Sequence, residues 1–179
     1  MNRRYNPDIH HRRTIRLKNY DYSQCGAYFT TICAYNRECL FGDIVDGKMR
    51  LNEIGTMVKD VWEWLPQQYP YVSIGEFVVM PNHFHGVLTI ADNYGGGSRT
   101  GGSRTAPTQK RKPLGQLIGA FKTVTTKRIN EAHGIPGGKL WQRNYYEHII
   151  RNEDNYRRIV EYIQTNPLNW ENDQLWTNP

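Results

Sequence analysis

The segment Met80-Pro81-Asn82-His83-Phe84-His85-Gly86-Val87-Leu88-Thr89-Ile90 limits the fold more than any other part of the chain. It is a β-prone run entered through a Pro-Asn turn, and a second β-prone run, Val72 to Met80, precedes it, so the pair predicts a hairpin. Side chains alternate across an extended strand: His83 and His85 share one face, while Phe84, Gly86, Leu88 and Ile90 share the other. One face is thereby committed to a core. The opposite face carries two imidazoles, half of a metal site.

The flanking sequence supplies the remaining layers. Ala27 to Tyr35 is rich in β-branched and aromatic residues and predicts a first strand. Leu40 to Val45 and Lys48 to Leu51 flank Asp46-Gly47, a two-residue hairpin signal. From the N-cap Asn52, apolar residues recur at helical spacing (Ile54, Met57, Val58, Val61, Trp62, Leu65) and the helix is expected to end at Pro66. Leu114, Leu117, Ile118, Phe121, Val124, Thr125 and Ile129 trace a second helix, stopped by Gly134 and Pro136. Leu140 to Ile150 predicts a last strand. Asn152-Glu153-Asp154 caps a third helix that runs to Pro167. Strand, helix, strand, strand, helix, strand plus a C-terminal helix fits an α+β fold: a ferredoxin-like antiparallel sheet with helices on one face.

The chain has 179 residues, 38% hydrophobic and 12% aromatic, enough for one domain with a proper core. Its 23 Lys and Arg against 17 Asp and Glu suit a polyanionic partner. Residues 1–20 form a basic arm, with Arg3, Arg4, Arg12, Arg13, Arg16 and Lys18 against a single acid, Asp8. Residues 21–170 form the domain and residues 171–179 a tail. Within the domain, residues 92–113 read as a mobile insertion that repeats Gly-Gly-Ser-Arg-Thr at 96–100 and 101–105. No apolar stretch follows the arm and none is long enough to span a bilayer, so a cytoplasmic location without membrane association is expected. Cys25, Cys33 and Cys39 lack Cys-x-x-Cys spacing and read as reduced structural residues.

On the third helix Tyr156, Ile159, Val160 and Ile163 form the buried stripe, and Tyr162 and Asn166, four apart, lie together on one flank. A divalent cation held by His83, His85 and the Asn166 amide oxygen would leave positions for a phosphodiester oxygen and a departing 3′ oxygen. A tyrosine oxygen in line could attack the phosphorus, giving a 5′-phosphotyrosyl link and a free 3′ hydroxyl. This chemistry needs no nucleotide cofactor, and the sequence contains no Gly-x-x-x-x-Gly-Lys-Ser/Thr loop. Imidazole suits Mn²⁺ and cellular abundance favours Mg²⁺; either is expected to serve. Because a proline disfavours a helical backbone in the residue before it, Asn166, before Pro167, is expected on a frayed last turn.

His83-Phe84-His85 after Met80-Pro81-Asn82, then Trp141-Gln142-Arg143, Glu147-His148-Ile149-Ile150-Arg151 and Glu161-Tyr162-Ile163-x-x-Asn166-Pro167, together resemble the single-tyrosine HUH transposases. The resemblance is narrower to the REP-associated tyrosine transposases and covers roughly Arg12 to Trp170. It implies a ferredoxin-like catalytic domain, a divalent ion on His83 and His85, and Tyr162 as nucleophile. It also implies a substrate: single-stranded DNA at imperfect palindromes that fold into hairpins, with a short guide sequence read at the hairpin foot. The basic arm and the flank of Lys122, Lys127 and Arg128 are candidates for phosphate and guide contacts. Relatives act as monomers or as homodimers that exchange the tyrosine helix, and both states stay open.

Several residues compete with these assignments. His148 is a candidate for the periphery of the site or a hydrogen-bonded structural histidine. Tyr156 belongs to the packing stripe, and Tyr145 and Tyr146, in the last strand, are candidate stacking residues. His10, His11 and His133 read as solvated, and Trp62 and Trp64 as core and core margin. Two other functions use the same residues: a hairpin-DNA-binding regulator without turnover, and a relaxase or replication initiator. The first would bind hairpins without forming a covalent adduct; the second would choose an origin-like site.

Overall fold

A computed structural model describes residue 17, residues 20–91 and residues 111–175. Arg3, Arg4, Arg12, Arg13, Arg16 and Lys18 of the basic arm, and both copies of the repeated pentapeptide, lie outside the described residues. In chain order the elements are β1 (Gly26–Cys33), β2 (Gly42–Val45), β3 (Lys48–Leu51), α1 (Glu53–Gln68), β4 (Val72–Val79), β5 (His83–Ile90), α2 (Leu114–His133), β6 (Tyr146–Ile150) and α3 (Glu153–Thr165). A 3-10 segment, Pro167–Asn172, follows. The main sheet has the order β4-β5-β1-β6 with every pair antiparallel, and β2-β3 forms a separate hairpin. This is the ferredoxin-like arrangement expected from the order of elements. No helix among the described residues is long and apolar enough to cross a membrane.

The alternation read in β5 divides the sheet into two faces. Tyr28, Ile32, Phe84 and Leu88 meet α1 and α2 in the main core, where the Phe84 ring centroid lies 4.6 Å from that of Trp62 and 5.3 Å from that of Phe121. Gly86 makes this possible, because a Cβ there would stand 2.8 Å from the Trp62 ring. On the opposite face Phe29 and Val87 meet Ile159 and Ile163 of α3. The isoleucines lie one turn apart, so α3 presents its single apolar stripe to the sheet. That seating brings the helix flank over the histidine face.

Three local expectations change. The last strand begins at Tyr146 rather than Leu140. The 140–145 stretch instead crosses the end of β1, with one isolated bridge between Ala34 and Trp141. Trp141 Nε1 donates to Thr125 Oγ1 at 2.7 Å, and the Lys122 ammonium donates to the Gln142 and Asn144 carbonyls at 2.9 and 2.8 Å. Carbonyls that a ladder would have used are thus taken by α2. Helix α1 continues past Pro66 to Gln68, since a proline in the last turn removes only one late hydrogen bond while Tyr69 still donates to the Leu65 carbonyl at 2.9 Å. Asn166 keeps a helical backbone, φ −57° and ψ −43°, despite Pro167. Burial and a side-chain bond to Asp173 hold it there.

Candidate metal and nucleophile site

Each histidine of β5 is oriented by a hydrogen bond to Nδ1. The Asn82 amide nitrogen donates to the carbonyls of Arg37 and Leu175 at 3.2 and 2.8 Å, which fixes its oxygen toward His83 Nδ1 at 2.8 Å. That oxygen only accepts, so Nδ1 carries the proton and Nε2 keeps its lone pair. For His85, Thr31 Oγ1 lies 2.8 Å from Nδ1. Thr31 is its register partner on β1, so the same sheet geometry that aims the ring also supplies the orienting hydroxyl.

Helix α3 brings Tyr162 and Asn166 to these rings. The Tyr162 phenol oxygen lies 3.2 Å from His85 Nε2 and its ring packs edge-on against Phe29. Asn166, buried at 3% exposure, donates from Nδ2 to Asp173 Oδ2 at 3.0 Å. Asp173 was not singled out in the sequence. It follows the 3-10 segment, which turns the chain back over the site, and the Leu175 amide steadies its other oxygen at 2.6 Å. Donor atoms of His83, His85 and Asp173 all lie within 4.8 Å of one another.

Burial holds the His83 pKa down to about 4, against the pull of the Asp173 carboxylate and the Asn166 amide. Burial, then the neighbouring His83, holds His85 well below the ordinary imidazole value. Both rings are therefore neutral near pH 7, the form in which imidazole binds metal. Burial and the Asp173 charge push the Tyr162 phenol above its ordinary value, with the Asn166 amide opposing them. The Tyr162 phenol is therefore protonated at neutral pH unless positive charge stands beside it.

The donors present fit a divalent cation. His83 Nε2 and Asn166 Oδ1 are buried and make no hydrogen bond, and leaving such atoms unmatched costs about 1–3 kcal/mol each. With His85 Nε2 and the Asp173 carboxylate they make a set of imidazole nitrogens and hard oxygens appropriate to Mn²⁺ or Mg²⁺.

The other candidates are distributed elsewhere. His148 bonds Asn155 Oδ1 at 3.0 Å and lines a different cavity from Tyr162. Tyr156 packs with the α3 stripe. Lys122 is engaged with backbone carbonyls, Lys127 pairs with Glu131 at 3.8 Å, and Arg128 lies 6.0 Å from the Trp64 ring centroid. Cys25, Cys33 and Cys39 are not joined in disulfides. Asn82, Thr31 and Asp173 are the residues that sequence reasoning passed over. Asn82 stood inside the motif as a turn residue; Thr31 and Asp173 carry no spacing signal.

Comparison with known proteins gives a consistent picture. The chain is 46% identical over 182 residues to an uncharacterized protein of Haemophilus influenzae strain Rd, covering 99% of this chain and 100% of that one. It is 23% identical over 159 residues to a protein of the same organism assigned to the REP-associated tyrosine transposases, covering 85% of this chain and 77% of the relative. A solved structure of a REP-associated tyrosine transposase bound to a REP hairpin superposes with a TM-score of 0.56 at 21% identity, covering 87% of this chain and 73% of that chain, and so shares the fold. No family model matches the chain.

Proposed function

We propose, given that this chain belongs to the family of REP-associated tyrosine transposases, that it nicks and rejoins single-stranded DNA at hairpin-forming palindromes through a 5′-phosphotyrosine on Tyr162. The observation that carries this reading is the 3.2 Å approach of the Tyr162 phenol to His85 Nε2, beside the cluster of His83, Asn166 and Asp173. The family makes a transposase-type role in DNA processing the premise; the bond chemistry is the proposal.

His83, His85, Asn166 and Asp173 would hold a divalent cation, with Asn82 and Thr31 keeping the imidazoles in register. Such an ion, when bound, supplies Lewis-acid polarisation of the phosphodiester and neutralises charge on the departing oxygen. Tyr162 Oη attacks phosphorus; the P–O3′ bond breaks; the 3′ oxygen leaves with a proton from solvent. Tyr162 is 44% exposed, so the phenol's own proton can pass to water. Rejoining is the reverse, with a 3′ hydroxyl displacing Tyr162. Helix α3 fixes the attacking oxygen, because Ile159 and Ile163 seat it on the sheet that carries the histidines.

The test is a denaturing gel with end-labelled single-stranded hairpin oligonucleotides, Mg²⁺ or Mn²⁺, and wild type against Tyr162→Phe. A metal-dependent protein-DNA adduct present in wild type and lost in the variant is expected. An adduct that persists in Tyr162→Phe, or tight hairpin binding by wild type with no adduct at all, would overturn the reading.

A further inference from the structure

Tyr162 opens into a cavity of about 750 Å³ whose far wall is formed by residues that the cleavage chemistry leaves unused. Across the sheet, His85 pairs with Thr31 and Thr31 pairs with Tyr146, so the three residues form one row on the face covered by α3. Directly opposed residues on neighbouring strands project to the same side. Tyr146 therefore stands two strands from His85, roughly 10 Å away, on the same side as the nucleophile. It is 55% exposed, whereas the adjacent Tyr145 packs against the main core. Its ring, on the outer strand β6, belongs to neither hydrophobic cluster of the described residues.

Beside Tyr146 the wall carries two side-chain amides on a tethered backbone. Gln142 and Asn144 line the cavity, and Lys122 holds their backbone carbonyls at 2.9 and 2.8 Å. Side-chain amides carry both donors and acceptors, the combination that reads a nucleobase edge, while a phenol ring offers a stacking face. The volume is in the usual range for a small-molecule site, about 300–1,000 Å³.

We propose that this cavity is a nucleobase pocket, in which an unpaired base next to the scissile phosphate stacks on Tyr146 and is hydrogen-bonded by the amides of Gln142 and Asn144. The pocket positions the phosphate at Tyr162 by anchoring its neighbour. This rests on the single-stranded DNA reading of the site and adds to it a binding residue on a different element from the nucleophile.

The experiment combines an abasic scan with two variants of the full chain. Hairpin oligonucleotides carry one abasic site at each unpaired nucleotide of the foot in turn, and binding is read by fluorescence anisotropy. Stacking of one base on an aromatic residue corresponds to about a five- to hundredfold change in affinity on alanine substitution. Tyr146→Ala is expected to weaken binding of the intact oligonucleotide by that factor, and Tyr146→Phe to retain it, which separates stacking from misfolding. At one position the abasic site should weaken wild type to the level of Tyr146→Ala and weaken the variant no further. Independent losses at every position, or an equal loss in Tyr146→Phe, would overturn the pocket. Adduct formation through Tyr162, followed in parallel on a denaturing gel, reports separately on the cleavage reading, because the abasic scan needs binding alone.

Discussion

The phenol oxygen of Tyr162 lies 3.2 Å from Nε2 of His85, joining a helix residue to a strand residue 77 positions away. That nitrogen is the one His85 would offer to a cation, since its other nitrogen faces Thr31. The proposed nucleophile and the candidate metal donors are therefore neighbours by construction of the sheet and of α3. Removing Thr31's hydroxyl while keeping its volume should disturb the metal without disturbing the fold. Thr31→Val is expected to lower Mn²⁺ affinity by about 10–100-fold, measured by titration calorimetry. Unchanged affinity would show that Thr31 does not orient His85.

Asp173 provides the one carboxylate in the cluster. A neutral amide in its place keeps the size and loses the charge. Asp173→Asn is expected to weaken Mn²⁺ binding by at least about 10-fold, an effect no smaller than loss of an outer-shell partner. Electron paramagnetic resonance of free Mn²⁺ would read the change, and an affinity equal to wild type would remove Asp173 from the donor set.

Acid should destabilise the metal-free protein through His83. Its folded pKa of about 4 lies below the ordinary 6.5, so the unfolded chain binds more protons between those values. Stability from this residue is fully present above pH 6.5 and is lost as pH falls toward 4, on the order of 3 kcal/mol over the window. Urea unfolding midpoints taken between pH 7 and 4 should fall for wild type, and fall less for His83→Gln. Parallel slopes would contradict the buried neutral ring.

Helix α3 is held at its start by Asn152, whose side chain accepts from the Asn155 amide at 2.8 Å. Asn152→Ala is expected to cost about 1 kcal/mol. A melting temperature lower by about 2–4 °C would register it. No change in melting would mean that the first turn is held by other contacts.

Most of this architecture can be read from local patterns. The alternation of β5, the Asp46-Gly47 turn and the Asn52 and Asn152 caps each specify backbone geometry within a few residues, and the elements form where those signals stand. That His83 and His85 share one strand face, and Tyr162 and Asn166 one helix flank, was legible from strand and helix periodicities. Asp173 was not, since an irregular 3-10 return places it and no periodicity governs such a segment. The same applies to 140–145, which is β-prone in sequence but surrenders the Gln142 and Asn144 carbonyls to Lys122. Tertiary hydrogen bonding decides that stretch, through Lys122 and Thr125 of α2.

The most direct test of the central claim is to locate the covalent bond by peptide mapping of the protein-DNA adduct. After nuclease and protease digestion, tandem mass spectrometry is expected to find the phosphonucleotide on Tyr162, joined through the 5′ phosphate. A modified Tyr145, Tyr146 or Tyr156 with unmodified Tyr162 would contradict the account.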